Sequence, residues 1–379
     1  MRTVDAAGLG IGDDHPSRIM GVLNVSEESP YDPSVFADPG EAAAYVDRDL
    51  IDEGADIVDV GLESANKRLD VLSAEEELDR LDTAVEAIES VSGEAVFSIE
   101  TRYAEVADAA LSRGFDMVND VCGFADPAMP DVCDDHDAAV VKMASPPDLK
   151  RPGAVESVDE IYEALAMNGF TGKTILDPAF GGWSEEKTLA DDRETFRKLR
   201  EFRAYGRPLL VSINRKNFLR AVAGRETDEA LPVSLAATAM AVERGAHVLR
   251  THDVAETRDA ALIGREFARD RVRGTGTDPT VEELDVTTRA EAARHLERVG
   301  ASAGIADAGI TRWFRLAGLG GAREPLAAAV ADAEGVRLAG TDPAVLFGTP
   351  RGFEALNRAI PDGTDRLREI VSKILHDIN

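Results

Sequence analysis

The sequence predicts an α/β fold, a (β/α)8 TIM barrel followed by a small α/β C-terminal domain. Three observations carry that prediction. Short apolar runs alternate with longer helix-period segments through residues 1–270, the pattern of repeated βα units. Several of those segments end in glycine just before the next apolar run, at Glu53-Gly54, Arg113-Gly114 and Arg244-Gly245, as a left-handed helix end requires. Polar residues then recur at the C-terminal ends of the apolar runs, the face where a parallel barrel collects its reactive groups.

Strands are expected at Ile19–Leu23, Ile57–Val60, Ala95–Ile99, Met117–Asn119, Ala138–Met143, Thr174–Leu176, Leu209–Ile213 and Val248–Arg250. Helices are expected at Gly40–Glu53, Ala74–Val91, Ala104–Arg113, Met129–Asp134, Val158–Asn168, Asp191–Phe202, Ser234–Arg244 and Val254–Asp270. Ser73 and Glu76 have the spacing of a capping box at the start of the second helix. A doubly wound open sheet is the alternative arrangement. Residues 271–280, Gly/Thr-rich and without periodicity, read as a linker. Residues 281–379 read as a small α/β domain of unassigned role. It has helices at Thr288–Val299, Glu324–Ala333 and Gly352–Ile360, and strands at Trp313–Leu316 and Val336–Leu338.

Composition narrows the function classes. The 379 residues leave room for a barrel of ~250 plus one small domain. Asp and Glu number 71 against 42 Lys and Arg, a net charge of −29, with acids spread along the whole length. That excess disfavours nucleic acid and anionic membranes, and it suits a cytoplasm of high salt, hence a halophilic protein. Two cysteines make no disulfide framework, and no Cys/His spacing suggests zinc. Met1–Asp14 lack a leader pattern and no apolar stretch approaches ~18 residues, so a soluble cytoplasmic protein is expected.

The strand ends carry the chemistry. They bear Asn24, Asp59 with Glu63, Glu100, Asn119-Asp120, Asp177, Asn214-Arg215-Lys216, and Arg250 with His252. A single buried Asp at a strand end often only caps the next loop. A ring of acids and bases drawn from seven strands is harder to explain as scaffold. Glu100, Asn119 and Asp177 can donate and accept in a plane, as a heterocycle with an amino-pyrimidinone edge requires. Arg250, His252 and Asn24 suit an anionic leaving group with its metal ion. Bland readings fit the rest. Cys122 reads as a small buried thiol, His15 and His136 as surface residues, and Asp131–Asp137 as a solvated face. Gly318–Ala322 lacks the rest of a nucleotide motif. Trp183 suits a ligand stack or a packing anchor equally.

The residues resemble dihydropteroate synthase. The resemblance rests on Ile19-Met-Gly-Val-Leu-Asn-Val-Ser26, Glu53-Gly-Ala-Asp-Ile-Val-Asp-Val-Gly61, Ser98-Ile-Glu-Thr101 and Asn119-Asp120. It continues through Leu176-Asp-Pro178, Arg215-Lys216 and Arg250-Thr-His-Asp-Val254, in order over residues 17–268. It implies condensation of 6-hydroxymethyl-7,8-dihydropterin diphosphate with p-aminobenzoate, or a related arylamine, and release of diphosphate in folate biosynthesis. It implies that Asn24 holds a Mg²⁺ at the diphosphate, whose oxygens Arg250 and His252 bind. Glu100, Asn119, Asp177 and Lys216 would then grip the pterin, Lys216 through the ring carbonyl. The catalytic set becomes Lys216, Arg250 and His252, and a homodimer through barrel helices is implied.

The departures cluster at the aminobenzoate loops. Ser26-Glu-Glu-Ser-Pro-Tyr-Asp-Pro-Ser34 replaces Thr-Pro-Asp-Ser-Phe-Ser-Asp-Gly-Gly, and Glu63-Ser-Ala-Asn-Lys-Arg68 replaces Glu-Ser-Thr-Arg-Pro-Gly. Met143-Ala144 stands for Met-His, Asn217 for Ser, and Glu100 for the pterin Asp. Two alternatives therefore stand beside the synthase: a pterin-binding paralogue without synthase activity, and a pterin-dependent methyltransferase. The second needs no diphosphate clamp, and Arg250 and His252 argue against it.

Overall fold

Eight parallel strands hydrogen-bond side by side, from Arg18–Asn24 through Ile57–Gly61, Val96–Thr101, Met117–Asp120, Ala139–Met143 and Thr174–Asp177 on one side, and through Val248–Thr251 to Leu210–Val211 on the other. A parallel bridge from Leu176 to Leu209 and a bond from the Leu176 amide to the Pro208 carbonyl close the ring. The structure is a computed structural model that describes residues 1–25, 34–63, 71–146, 155–181, 187–274, 281–360 and 365–378. It contains two compact units, Met1–Glu282 and Glu283–Asn379. No described helix is long and apolar enough to cross a membrane.

The first unit begins with a hairpin, β1 (Val4–Ala6) and β2 (Leu9–Ile11). The barrel follows as β3 (Arg18–Asn24), α1 (Pro39–Tyr45), a π-helical turn (Val46–Ile51), β4 (Ile57–Gly61), α2 (Ala74–Ser90), β5 (Val96–Thr101), α3 (Ala104–Leu111) and β6 (Met117–Asp120). It continues through α4 (Met129–Asp135), β7 (Ala139–Met143), α5 (Val158–Ala166), β8 (Thr174–Asp177), α6 (Leu189–Arg197), a 3₁₀ turn (Leu199–Tyr205) and β9 (Leu210–Val211). It closes with α7 (Asn217–Ala223), α8 (Leu231–Glu243), β10 (Val248–Thr251) and α9 (Val254–Glu266). All eight predicted strands form. The capping box joins Ser73 and Glu76, and Gly54, Gly114 and Gly245 adopt φ of 102°, 102° and 100°. Those dihedrals carry an energetic cost for any side chain with a Cβ.

Two buried layers hold the barrel. Inward residues Met20, Ile57, Val96, Met117, Val141, Ile175, Leu210 and Val248 fill its lower interior, and Val4, Ala6 and Ile11 of the hairpin pack into the same cluster. The hairpin therefore plugs the N-terminal end, a role that the sequence reading of Met1–Asp14 did not foresee. The outward faces of the strands pack on the helices in a second, larger cluster. Three further corrections follow. The single helix expected over Gly40–Glu53 changes pitch at Val46, with the Asp52 amide bonding five residues back to Asp47. The helix expected through Phe202 turns to 3₁₀ form after Arg197, which carries Arg203 down to Asp13. An unforeseen helix, α7, precedes α8.

The linker expected at 271–280 is flanked by paired residues, β11 (Arg273–Gly274) against β12 (Val281–Glu282), and 275–280 lie outside the described residues. The second unit has α10 (Arg289–Arg298), a 3₁₀ turn (Ala303–Ala308), β13 (Arg312–Leu316), α11 (Arg323–Ala331), β14 (Val336–Gly340), β15 (Ala344–Gly348), α12 (Pro350–Ala359) and α13 (Asp365–Ile378). Its antiparallel sheet runs β13-β15-β14. The acidic excess is not shared evenly. Acids outnumber bases by 27 over residues 1–282 but by only 2 over 283–379.

Candidate active site

The reactive side chains meet where the strands end. β4 is buried at every position, so Asp59 within it has no solvent and must find partners inside the protein. It finds three. Its Oδ1 accepts from the Ser98 hydroxyl at 2.8 Å, and its Oδ2 accepts from Asn119 Nδ2 at 2.9 Å and Arg250 Nε at 2.7 Å. Arg250 reaches on with Nη2 to Glu100 Oε2 at 2.6 Å. Asp59 thus aims both Asn119 and Arg250, although the sequence reading placed it in the strand-end ring without a role at the site.

Glu100, Asn119, Asp177, Lys216 and Arg250 line one cleft at the barrel mouth, with Phe180 and Ser212, about 370 Å³ including the space open to solvent. Five of the seven predicted residues are therefore brought together. Asn24 ends β3 and His252 directly follows β10, neighbouring strands that pair through Thr251 and Gly21, and neither residue lines this cleft. Gly181, at φ 104°, lets Lys216 lie against its backbone, since a Cβ there would sit 3.1 Å from Nζ.

The electrostatics are unbalanced. Burial pushes the Asp177 carboxyl up to about 6 despite the Ala179 amide bonded to it at 2.7 Å. Burial also raises Glu100 against the pull of Arg250, and it lowers Lys216, helped by Arg250. His252 falls to about 3 through burial and the neighbouring Arg250 charge, so it is neutral at pH 7. Arg250 stays firmly charged because the Glu100 and Asp59 carboxylates outweigh its own burial.

Other strand-end groups prove structural. Asp120 accepts from the Cys122 and Phe124 amides at 2.7 and 2.6 Å, capping its own loop. Glu63 pairs with buried Arg102 and accepts from the Leu72 amide. Asn214 and Arg215 turn away to Asp253, which Arg215 grips with two bonds of 2.9 and 2.8 Å. Cys122 is a buried thiol, His136 pairs with Asp108 at 2.7 Å, and most of Asp131–Asp137 is exposed. The altered stretches 26–33 and 64–68, and Trp183, lie outside the described residues.

Asn24 fits the part of a cation ligand. Its Nδ2 donates to the Ser34 hydroxyl at 3.0 Å, which leaves Oδ1 as the acceptor. Oδ1 occupies the space a Cβ on Gly61 would need, 2.9 Å away. No cluster of three or more His, Cys, Asp or Glu side chains suited to a metal occurs among the described residues. A hard cation there would complete its shell with water and substrate oxygens, the habit of Mg²⁺.

Residues 20–252 match the family described as pterin binding enzyme. The chain belongs to that pterin-binding enzyme family. It is 35% identical over 268 residues, 66% of its length, to a Haloferax volcanii protein named "Probable bifunctional folylpolyglutamate synthase/dihydropteroate synthase". It spans only 31% of that longer relative. It is 30% identical to the dihydropteroate synthase of Bacillus subtilis, with 62% of this chain matched to 83% of that one. Among solved structures, the Xanthomonas albilineans dihydropteroate synthase with 4-aminobenzoic acid is similar. It has 32% identity, a TM-score of 0.59, and coverage of 70% of this chain and 97% of that one. In this family member the barrel accounts for the likeness.

Proposed function

We propose that this pterin-binding enzyme is a dihydropteroate synthase-type transferase of folate biosynthesis. It joins the methylene carbon of 6-hydroxymethyl-7,8-dihydropterin diphosphate to the amine of p-aminobenzoate or a related arylamine. The observation that carries the reading is the cleft where Glu100, Asn119, Asp177 and Lys216 converge beside Arg250. Asp177 and Glu100, raised by burial, are poised to ionise when N–H donors of an amino-pyrimidinone edge replace lost water. Asn119, aimed by Asp59, presents its carbonyl oxygen to the same ring edge. Lys216 donates toward the ring carbonyl.

The carbon–oxygen bond breaks with its electron pair leaving on diphosphate, the amine nitrogen bonds the methylene carbon, and the amine proton goes to water. Arg250, held charged by two carboxylates, and the N–H of neutral His252 would stabilise the departing charge. A Mg²⁺ held by Asn24 would supply further neutralisation of that charge.

Two further features belong to this proposal. The apolar outer residues Met240 of α8 and Leu262, Ile263 and Phe267 on and just after α9 support a homodimer through those neighbouring helices. The acidic excess supports a cytoplasm of high salt. Melting temperature is then expected to rise from low to multimolar KCl as screening relieves repulsion, and a flat profile contradicts it. The function itself is tested by diphosphate release at high salt with Mg²⁺ and the dihydropterin diphosphate. Release that requires p-aminobenzoate and yields dihydropteroate is expected. Binding of the pterin without such release overturns synthase activity.

A further inference from the structure

The second unit carries a surface that the barrel chemistry does not use. Among the described residues its three-stranded sheet is covered on one side, by a core that includes Leu326, Val330, Phe353, Leu356, Leu367 and Val371 of its helices. Strand alternation sends the other residues to the opposite face. There Trp313 of β13, Phe347 of β15 and Arg337 of β14 stand in one cross-strand row, with Arg315, Val345 and Ala339 in the next.

An antiparallel sheet commonly wets one face, but with polar side chains. This face holds an aromatic pair. The Trp313 and Phe347 rings stack at 4.0 Å with 6° between their planes, and Trp313 is 64% exposed. β13 is an edge strand, so the Trp313 ring surface turned away from Phe347 has no neighbouring strand beyond it. Arg315, two residues along on the same face, makes no hydrogen bond or ion pair among the described residues. Arg337, across Phe347 from Trp313, bonds the adjacent Val336 carbonyl at 2.8 Å. No carboxylate stands in either row. The unit around it is nearly neutral, in a chain whose other 282 residues hold 27 of the 29 excess negative charges.

One open ring surface, with the Arg315 guanidinium about 7 Å along the same strand and no carboxylate beside it, matches one planar ring bearing an anion. We propose that the open sheet face of the C-terminal unit binds a mononucleotide, with the base stacked on Trp313 and the phosphate met by Arg315. Single-stranded nucleic acid needs a succession of stacking platforms and a basic track. This face offers one platform and no basic track, in a strongly acidic chain.

The test is calorimetric titration of the full chain with AMP at fixed salt. Adenine is chosen because it lacks the amino-pyrimidinone edge suited to the barrel cleft. Saturable 1:1 binding is expected, about tenfold weaker in Trp313→Ala and about threefold weaker in Arg315→Gln. Adenosine should bind Arg315→Gln and the parent equally, and ribose 5-phosphate should not saturate. All the substituted side chains lie on the exposed face, and unchanged melting temperatures confirm intact folding. Absence of saturation, or AMP binding untouched by both variants, overturns the proposal. So does affinity for oligoadenylate that climbs steeply with length, which would assign the face to nucleic acid. A dimer of the parent chain that Trp313→Ala dissociates would assign it to a second copy and overturn it equally.

Discussion

The two ends of the barrel bury charge in opposite ways. At the base, Asp13 takes two bonds from Arg203 at 3.1 and 3.0 Å, a third from Arg271 at 3.3 Å, and lies 3.3 Å from His247 Nε2. Burial opposes ionisation of Asp13, yet His247, Arg203 and Arg271 together hold its carboxyl far below the usual range. At the mouth the directions reverse: Asp177 and Glu100 are raised and Lys216 is lowered. A buried charge satisfied by its own protein stabilises the fold, whereas one left short of partners is waiting for a ligand. The base network ties the hairpin plug to the 3₁₀ turn and β10. The mouth leaves the charges of Asp177, Glu100 and Lys216 only partly satisfied by their own protein.

That contrast can be broken by exchanging effects between the two ends. The largest stability effect belongs to the base. Asp13→Asn leaves Arg203, Arg271 and His247 without their shared carboxylate, and should cost about 3–5 kcal/mol in denaturant unfolding. The folded fraction should bind the pterin alcohol as before, and a selective loss of pterin affinity would erase the distinction.

Asp177→Asn should do the reverse at pH 7. Pterin affinity is expected to fall about 10- to 100-fold as charge-assisted bonds are lost, with stability held or raised. The pH dependence carries the sign. The raised Asp177 carboxyl contributes stability that is present below about 3.8 and lost as pH climbs through about 6. Binding of the pterin needs the ionised form, so affinity should climb through the same window in the parent and stay flat in the variant. Affinity that falls with rising pH contradicts this.

The smallest effect sharpens the mouth itself. The extra methylene of Glu100, relative to the aspartate that the family resemblance leads one to expect there, spans the distance to Arg250 Nη2. Glu100→Asp should release that nitrogen and tighten inorganic diphosphate about two- to tenfold. Unchanged diphosphate binding would mean that the pair does not restrain Arg250.

Much of this was legible in the sequence because the barrel strands are short buried runs punctuated by glycine. The hairpin was not. Its strands are three residues each, too short for alternation to register, and its turn uses Ala7 at φ 49° where asparagine or aspartate would have given a signal. α7 and α13 went unread, as did β15, which joins the two foreseen strands of its sheet. At the site, residue types at strand ends identified the cleft, but not which ends were structural. Glu63, Asp120 and Arg215 differ from Glu100, Asp177 and Lys216 only in where their side chains turn. Asp59 shows why. Its partners lie 39, 60 and 191 residues away, and only closure of the barrel brings them together.

The most direct test is paired titration of the parent and His252→Ala with the dihydropterin diphosphate and with the pterin alcohol. The account predicts that the variant loses roughly tenfold or more for the diphosphate and almost nothing for the alcohol. Equal losses for both ligands would place His252 away from the phosphates and contradict the division of the mouth into a pterin cleft and a diphosphate clamp.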